Sequence, residues 1–228
     1  MLKRAFIATI PVLTGYLVLG FGYGVIMETK GFGLLWAIAM SLFVFAGSMQ
    51  YAAIALFTGG ASLLTTGLTT LAVNARHLFY GISMVDKYKG MKGKAFLMFG
   101  LTDETYALVV NDAALADLDR RGKNTYYLLV TALDYSYWVA GTAIGSVIGS
   151  LVNFNSAGID FALTALFLTV FVEQWLTTKN HLAAITGVVM SVICLLVFGA
   201  DSFLIPAMIL ITVALTLMRR VRGIENDE

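Results

Sequence analysis

The residues best suited to chemistry in this 228-residue chain are ionisable side chains inside long apolar stretches. Arg76 and His77 are adjacent in one such stretch, and Asp103 and Glu104 are adjacent in the next. A charged side chain at the centre of a bilayer costs roughly 2.5–3.5 kcal/mol on insertion scales, so it normally has a partner or a function. An arginine can hold a carboxylate, and acids or histidines can carry protons.

Around Arg76, further polar residues share one helical segment. Asn74, His77 and Tyr80 are spaced by three residues, which places them on one helix face. Arg76 either anchors a substrate carboxylate, pairs with an acid such as Asp134, or extends to the cytoplasmic interface. The segment predicts Asn74, Arg76 and Tyr80 as substrate-binding residues and His77 as a proton relay.

The acidic residues are candidates for proton transfer. In a dry site a carboxylate is harder to ionise, and a neighbouring acid strengthens that effect. The alternative for the adjacent pair is a helix N-terminus, with Thr102 or Asp103 capping a helix that starts at Glu104. Asp134, one turn before Tyr137, either senses protons or lies at the membrane interface among aromatic residues. The predicted proton-coupling residues are His77, Asp103, Glu104 and Asp134.

A glycine and two polar side chains interrupt the second apolar stretch. Gly47 weakens the helix there, while Ser48 and Gln50 offer hydrogen-bond donors and acceptors. Transporters use such breaks to bind substrates near the midplane. The alternative is an interhelical hydrogen bond worth about 1 kcal/mol. On the first reading, Gly47, Ser48 and Gln50 bind substrate. With two histidines, and His181 in a loop, we predict neither a metal nor a cofactor.

Glycines recur at four-residue spacing in two other stretches. Gly20 and Gly24 lie in the first, and Gly141, Gly145 and Gly149 lie in the fifth. Small residues at this spacing let membrane helices pack closely. The alternative is a broken helix that lines a transport path.

The composition excludes a soluble domain. Hydrophobic residues make up 59% of the chain and charged residues 13%, and the mean hydropathy is +0.83. Such a chain cannot cover a water-facing surface, and it is too apolar to be disordered. The net charge of +1 provides no basic field for nucleic acid, and one cysteine excludes an intrachain disulfide. The class that remains is a polytopic membrane protein in the lipid bilayer.

Eight apolar stretches are candidates for membrane-spanning helices. Seven are clear, while the fourth is ambiguous because it contains acids such as Asp112. All should be helical, because a chain in lipid must satisfy its own backbone groups. We therefore predict an all-α transmembrane bundle of 7–8 spans that forms a single transporter domain, 1–228. The stretches are 5–27, 34–58, 62–85, 95–114, 125–152, 161–176, 182–199 and 203–218.

The distribution of Lys and Arg favours seven spans. If all eight stretches cross from a cytoplasmic N-terminus, nine basic residues lie inside and five outside. If 95–114 does not cross and the N-terminus is outside, the counts become twelve and two. The second topology agrees better with the positive-inside rule, and it requires 95–114 to be re-entrant or to lie on the cytoplasmic face.

A weak internal repeat divides the chain into halves. Tyr16, Gly20 and Gly24 recur as Tyr137, Gly141 and Gly145 at a shift of 121 residues. The halves would be 5–85 and 125–218, joined by 86–124, with broken helices in each. Three spans between the copies would make the repeat inverted, and four would make it parallel.

Several motifs together resemble one family, the AzlC-type branched-chain amino acid exporters, in their large subunit. The resemblance implies export of leucine, isoleucine, valine and often methionine, with proton coupling. It also implies a small AzlD-type membrane subunit as partner and a multi-pass location in the bacterial inner membrane. The motifs are PVLTG at 11–15, GFG at 20–22, FAGSMQ at 45–50, NARHLFYG at 74–81 and GLTDETYAL at 100–108.

The favoured function is therefore a secondary exporter of apolar amino acids rather than an enzyme. Arg76 or the backbone at Gly47–Ser48 would hold the carboxylate, and an acid would engage the ammonium or exchange a proton. An intramembrane enzyme using Ser48 and His77 lacks any supporting motif. A channel or a non-transporting scaffold subunit is the alternative, although no filter sequence is present.

Overall fold

The computed structural model describes residues 1–110, 115–152, 168, 171–172, 175–176, 181–199 and 203–225, with backbone alone at 204, 205, 208 and 219–225. Within these residues the chain is helical and has no strand, so the prediction of an all-α fold is confirmed. The helices are α1 (Leu2–Thr29), α2 (Gly33–Phe43), α3 (Gly47–Thr58), α4 (Leu63–Val73), α5 (Ala75–Tyr88), α6 (Lys94–Phe99), α7 (Asp103–Val109), α8 (Arg120–Leu151), α9 (Leu182–Phe198) and α10 (Leu204–Glu225).

Two helices, α1 and α8, are much longer than the other helices near them. They contain 28 and 32 residues, so at 1.5 Å per residue they extend about 42 and 48 Å. Among the described helices, α1 alone is both long and apolar enough to cross a membrane by itself. The number of spans therefore stays a prediction.

Three other segments of the first half are pairs of short helices. The chain breaks at 44–46 between α2 and α3, at Asn74 between α4 and α5, and at 100–102 between α6 and α7. A helix of 11 residues, such as α2, reaches only about 17 Å, whereas a bilayer core is about 30 Å thick. A crossing here would need both members of a pair.

Two of the three breaks, at 44–46 and at 100–102, have a local cause in the sequence. Phe45 adopts a left-handed backbone conformation with φ of 42°, which no α-helix accommodates. Gly100 ends α6, and Thr102 caps α7 by accepting a hydrogen bond from the Thr105 backbone. Of the two expected N-caps, Thr102 and Asp103, the structure shows Thr102. The helix therefore begins at Asp103, one residue before the expected start at Glu104.

Glycines bring α1 and α8 into backbone contact. A Cβ atom on Gly20 would lie 2.8 Å from the Trp138 carbonyl oxygen, and one on Gly141 would lie 2.9 Å from that of Leu17. Gly24 and Gly145 face the opposite backbone in the same way. The packing interpretation is confirmed at these glycines, and the broken-helix alternative is wrong there because both helices are continuous.

The described chain divides into two compact units. The first comprises Met1–Thr66 and Val73–Ala162, and the second comprises Gly67–Ala72 and Leu163–Glu228. In the second unit α9 packs against α10. All ten predicted site residues belong to the first unit. Most of the predicted span 161–176, as well as Asp112, lies outside the described residues, and the repeat stays a prediction.

Candidate functional site

An ion pair joins two of the helix breaks. Nη1 of Arg76, the second residue of α5, lies 2.5 Å from Oδ2 of Asp103, the first residue of α7. Nη2 of Arg76 donates a hydrogen bond of 3.0 Å to Oγ of Ser48, the second residue of α3. The first turns of three helices therefore meet through these side chains, which we call the break-point cluster: Ser48, Arg76 and Asp103.

The break-point cluster retains unused hydrogen-bonding capacity. Nε of Arg76 and Oδ1 of Asp103 are buried and have no partner among the described residues. The two side chains as a whole are 35% and 34% exposed, so other atoms of the ion pair contact solvent although these two do not. Because Nε–H is a donor and Oδ1 is an acceptor, the cluster is chemically complementary to an anionic and a cationic group side by side once these two atoms are uncovered.

The helix ends around the cluster favour an anion. The N-cap residues, which immediately precede α3 and α5, are Ala46 and Asn74. Neither makes a side-chain capping hydrogen bond. The N-terminus of a helix carries a partial positive charge and orphan N–H groups. Together with Arg76 these helix starts add positive potential at the cluster, which the carboxylates of Asp103 and Glu104 oppose.

His77 and Tyr80 lie on the same helix as Arg76. The His77 backbone N–H donates to the Asn74 carbonyl at 2.9 Å, which closes the first turn of α5. The centroids of the His77 and Tyr80 rings are 6.0 Å apart, and Tyr80 stacks on Tyr106 of α7 at 4.5 Å. The aromatic pair thus fixes α5 against α7 beside the ion pair.

Gln50 is part of a buried network rather than of the break-point cluster. Its side chain is fully buried, its Nε2 donates to Ser41 at 3.0 Å, and its Oε1 accepts from Trp138 Nε1 at 3.0 Å. Ser41 in turn bonds Thr142 at 2.9 Å. The network joins α2 and α3 to α8, and a substrate role for Gln50 stays a prediction.

Gly47 also packs on α8. A Cβ atom at this position would lie 2.9 Å from the Cη2 atom of Trp138. A glycine therefore lets the start of α3 approach the indole ring. Any substrate contact at Gly47 would come from its backbone.

Glu104 and Asp134 are at opposite ends of a series of hydroxyl groups. Tyr16 donates to Oε2 of Glu104 at 2.6 Å and to Oγ1 of Thr102 at 2.7 Å. Thr105 donates to Oδ2 of Asp134 at 2.8 Å. Asp134 is fully buried within the protein, and its depth in a membrane stays a prediction. Arg76 pairs with Asp103 instead of Asp134.

The sequence reasoning missed two members of this series, Tyr16 and Thr105. Both are buried polar residues in apolar stretches. Their only sequence signal is that polarity, which many membrane helices share for packing. Their importance comes from the contact between α1, α7 and α8, which one sequence does not reveal.

A separate cavity lies in the second unit. It has a volume of about 620 Å³ and is lined in part by Trp175, His181 and Ser191. The imidazole of His181 stacks on the Trp175 ring at 4.1 Å. None of the predicted site residues lines this cavity.

Known proteins resemble this chain over most of its length. The branched-chain amino acid transport protein AzlC of Bacillus subtilis is 45% identical over 96% of this chain and 85% of that protein. An uncharacterized membrane protein of Helicobacter pylori is 38% identical over 96% of this chain and 95% of its own length. The inner membrane protein YgaZ of Escherichia coli is 29% identical over 89% of this chain and 82% of its own. No solved structure matches the chain.

The family comparison covers the same part of the chain as the break-point cluster. A sequence model described as AzlC protein matches residues 11–152, which include every predicted site residue. With this match and the relatives above, the chain belongs to the AzlC protein family.

Proposed function

We propose that this chain is a multi-pass secondary transporter that exports leucine, isoleucine and valine, and also methionine, in exchange for protons. Its place would be the bacterial inner membrane, together with a small AzlD-type subunit. The printed name of the Bacillus subtilis relative supports the substrate class. Export, proton coupling and the partner follow from the family resemblance of the motifs.

One observation carries the proposal: the break-point cluster is complementary to a zwitterion. An α-amino acid has a carboxylate and an ammonium group on one carbon atom. Nε of Arg76 would donate to the carboxylate, and Oδ1 of Asp103 would accept from the ammonium, since both atoms lack a partner among the described residues. Ser48 holds Arg76 in position, because its Oγ accepts the hydrogen bond that Nη2 donates. A substrate with only a carboxylate would leave Oδ1 of Asp103 without a partner, and one with only an ammonium group would leave Nε of Arg76 without one.

Broken helices support alternating access around such a site. In transporters with discontinuous helices, the substrate binds where half-helices end, near the bilayer midplane. Here three breaks converge on the cluster, and the aliphatic side chain of a substrate needs only apolar surroundings. In the seven-span topology α6 and α7 would be re-entrant or would lie on the cytoplasmic face rather than cross.

The decisive experiment compares leucine with two analogues that each lack one charge. Everted membrane vesicles containing the chain and its small subunit take up labelled leucine, while 4-methylpentanoate or 3-methylbutylamine competes. We expect unlabelled leucine to compete at least about tenfold better than either analogue, since a hydrogen bond to a charged group is worth roughly 1.5–3 kcal/mol. The variant Asp103→Asn should weaken leucine strongly but leave 4-methylpentanoate nearly unchanged.

A matched control removes an arginine outside the cluster. Arg4 forms an ion pair with the exposed Asp117, so Arg4→Gln should transport like the wild type, whereas Arg76→Gln should lose at least about 90% of uptake. Equal competition by all three compounds, or full transport by Arg76→Gln, would contradict the proposal.

The same vesicles separate a carrier from a channel. A carrier saturates and exchanges substrate, so unlabelled leucine outside should accelerate the exit of labelled leucine from preloaded vesicles. A pore would show neither saturation nor accelerated exchange. A non-transporting scaffold would show no flux above vesicles without the chain.

A further inference from the structure

An unbroken series of hydrogen bonds connects an exposed acid to a fully buried one. It runs from Glu104 through Tyr16, Thr102 and Thr105 to Asp134, over 2.6, 2.7, 3.1 and 2.8 Å in that order. Glu104 is exposed at one end, and Asp134 is 0% exposed at the other. Three elements contribute to the series, α1, α7 and α8.

The hydroxyl groups between Tyr16 and Asp134 form a directed series. Tyr16 donates to Thr102, Thr102 donates to Thr105, and Thr105 donates to Asp134. Thr102 and Thr105 each accept from one neighbour and donate to the next, which is the arrangement that proton transfer along hydroxyls requires. Tyr16 differs, because Glu104 is a second acceptor for its proton.

Tyr16 occupies the branch point of the series. Its hydroxyl has a single proton but two acceptors in range, Glu104 at 2.6 Å and Thr102 at 2.7 Å. With Glu104 ionised, Tyr16 donates to the carboxylate. With Glu104 protonated, the carboxylic acid donates to Tyr16, and the Tyr16 proton turns to Thr102. The protonation of Glu104 therefore decides whether the series is complete.

Asp134 has the features of a terminal proton acceptor. Oδ2 accepts from Thr105, while Oδ1 is buried without a partner among the described residues. A buried carboxylate with an orphan oxygen is poorly stabilised as an anion, and a proton removes that charge. The titratable groups that act on it are Tyr16 of α1, Glu104 of α7 and Tyr126 of α8.

We infer that Tyr16, Thr102 and Thr105 form a proton wire between Glu104 and Asp134. The proton of Glu104 passes to the Tyr16 oxygen, the Tyr16 proton to Thr102, the Thr102 proton to Thr105, and the Thr105 proton to Oδ2 of Asp134. Four O–H bonds break and four form, so Glu104 ends ionised, Asp134 ends neutral, and each hydroxyl keeps one proton. Rotation of the hydroxyls resets the wire.

The inference deepens the proton coupling of the proposed function, on which its physiological meaning rests. Glu104 is next to Asp103 of the break-point cluster, so a change of charge at Glu104 acts directly beside the substrate. Asp134 stores the proton on α8, within the region packed against α1. The wire thus links the proposed substrate site to the pair of continuous helices, α1 and α8.

The test follows the proton directly in the chain reconstituted in lipid nanodiscs. Infrared difference spectroscopy after a rapid pH drop records the C=O band of a newly protonated carboxyl, and Asp134→Asn identifies the band of Asp134 by its loss. We expect Tyr16→Phe and Thr105→Val to slow the appearance of this band at least about tenfold. Thr105→Ser, which restores a hydroxyl, should restore the rate.

A matched control lies on α1 and α8, two of the three helices that contribute to the wire. Tyr137 of α8 shares a buried hydrogen bond of 3.1 Å with Thr9 of α1, so Tyr137→Phe removes a comparable hydroxyl outside the wire and should leave the rate unchanged. The inference is overturned if no band is lost in Asp134→Asn. It is also overturned if Thr105→Val and Thr105→Ser are equally slow, or if Tyr16→Phe and Thr105→Val keep the wild-type rate.

Failure of the wire and failure of the proposed function give different results. The infrared measurement needs no substrate, so it decides the wire even if leucine is not transported. If leucine is transported, Tyr16→Phe should retain leucine–leucine exchange, which moves no net proton, and lose at least about 90% of uptake driven by a pH gradient. Leucine transport with intact coupling in that variant would refute the wire and leave the transporter proposal standing.

Discussion

The α1–α8 pair and the three broken helices differ in the exposure and charge of their polar groups. Along the pair many polar side chains are buried, and some bond across it, as Thr9 does to Tyr137. Thr131 and Asp134 each keep one atom without a partner among the described residues. At the breaks, Arg76 and Asp103 are about one third exposed, and each keeps an atom without a partner. Buried polar groups in a native protein are almost always satisfied, so the exceptions call for a reason.

The difference separates a region that specifies the fold from the region where we propose the substrate site. Backbone contact at Gly20 and Gly141 fixes the register of α1 on α8 without any charge. The breaks, by contrast, place the charged residues Arg76 and Asp103 at the starts of short helices. Natural sequences depart from local rules mainly at functional sites. Four changes test this division, from the largest expected effect to the smallest.

The largest effect should follow from filling the α1–α8 contact. Gly145→Leu would drive a side chain into the backbone of Phe21, and a backbone cannot yield as a flexible side chain can. Overpacking typically costs about 1–3 kcal/mol and here should exceed that range. We expect little folded protein in size-exclusion chromatography of detergent extracts.

The control for this change lies on the same helix pair. Nothing lies within 4 Å of a Cβ on Gly15, so Gly15→Leu should be neutral or should stabilise by up to about 1 kcal/mol through helix propensity. If Gly15→Leu is as harmful as Gly145→Leu, close packing is not what the glycines provide.

A smaller loss of stability should follow from Gln50→Leu. The change leaves Trp138 Nε1 without its acceptor and Ser41 without a donor, and an unsatisfied buried group costs about 1–3 kcal/mol. A lower midpoint of thermal unfolding would identify Gln50 as a structural residue. Wild-type stability together with lost leucine uptake would instead restore its predicted role in substrate binding.

Much of this division could be predicted from the sequence, and the limits have physical reasons. The apolar stretches and their polar interruptions predicted the helical fold, because lipid permits few other structures. Asn74, Arg76 and Asp103 were found because charge or polarity within an apolar stretch is costly. The ion pair itself was not predicted: the sequence offered Asp134 as an example of a partner for Arg76, and the choice of Asp103 depends on how α5 meets α7.

The hydrogen-bonded series of hydroxyl groups could not be predicted from the sequence, for a related reason. Tyr16 and Thr105 are 89 positions apart, and each alone resembles an ordinary packing residue. The span count is also open, since α2 and α3 are each too short to cross a bilayer core alone. Hydropathy along the sequence combines the two short helices of such a pair into one long apolar stretch, so the break between them is not visible in it.

A moderate effect on affinity, without an effect on stability, should follow from Ser48→Ala. The variant removes one acceptor from Arg76 but leaves the pair with Asp103. The KM for leucine should rise roughly threefold to tenfold because the guanidinium is less well oriented. Unfolding should change by less than about 0.5 kcal/mol.

The exposed Ser62 provides the matched control for this change. It bonds only locally, to Thr65, at the start of α4. Ser62→Ala should leave the KM unchanged. A drop in unfolding temperature for Ser48→Ala as large as that for Gln50→Leu would place Ser48 with the structural residues and weaken the comparison.

The smallest effect concerns an exposed ion pair at the start of α1, away from both the glycine contact and the breaks. Hydrogen bonds from Arg4 to Asp117, of 2.8 and 3.0 Å, lower the pKa of the Asp117 carboxyl below its ordinary value. Because the folded-state pKa is depressed, the stabilisation is complete above the unfolded pKa, near 3.9, and is lost as the pH falls through the folded value. Both side chains are exposed, so the stabilisation is small and screened by salt.

The measurement compares unfolding temperatures of the wild type and Asp117→Asn in low salt. Their difference should be constant from about pH 7 to pH 5 and should disappear once the pH falls below the folded-state pKa of Asp117, where both states bind the proton. Leucine uptake at neutral pH should be the same in both proteins, since Asp117 is not part of the break-point cluster. A difference that grows on acidification would reverse the sign expected for a depressed carboxyl and would show that Arg4 does not stabilise the charged form.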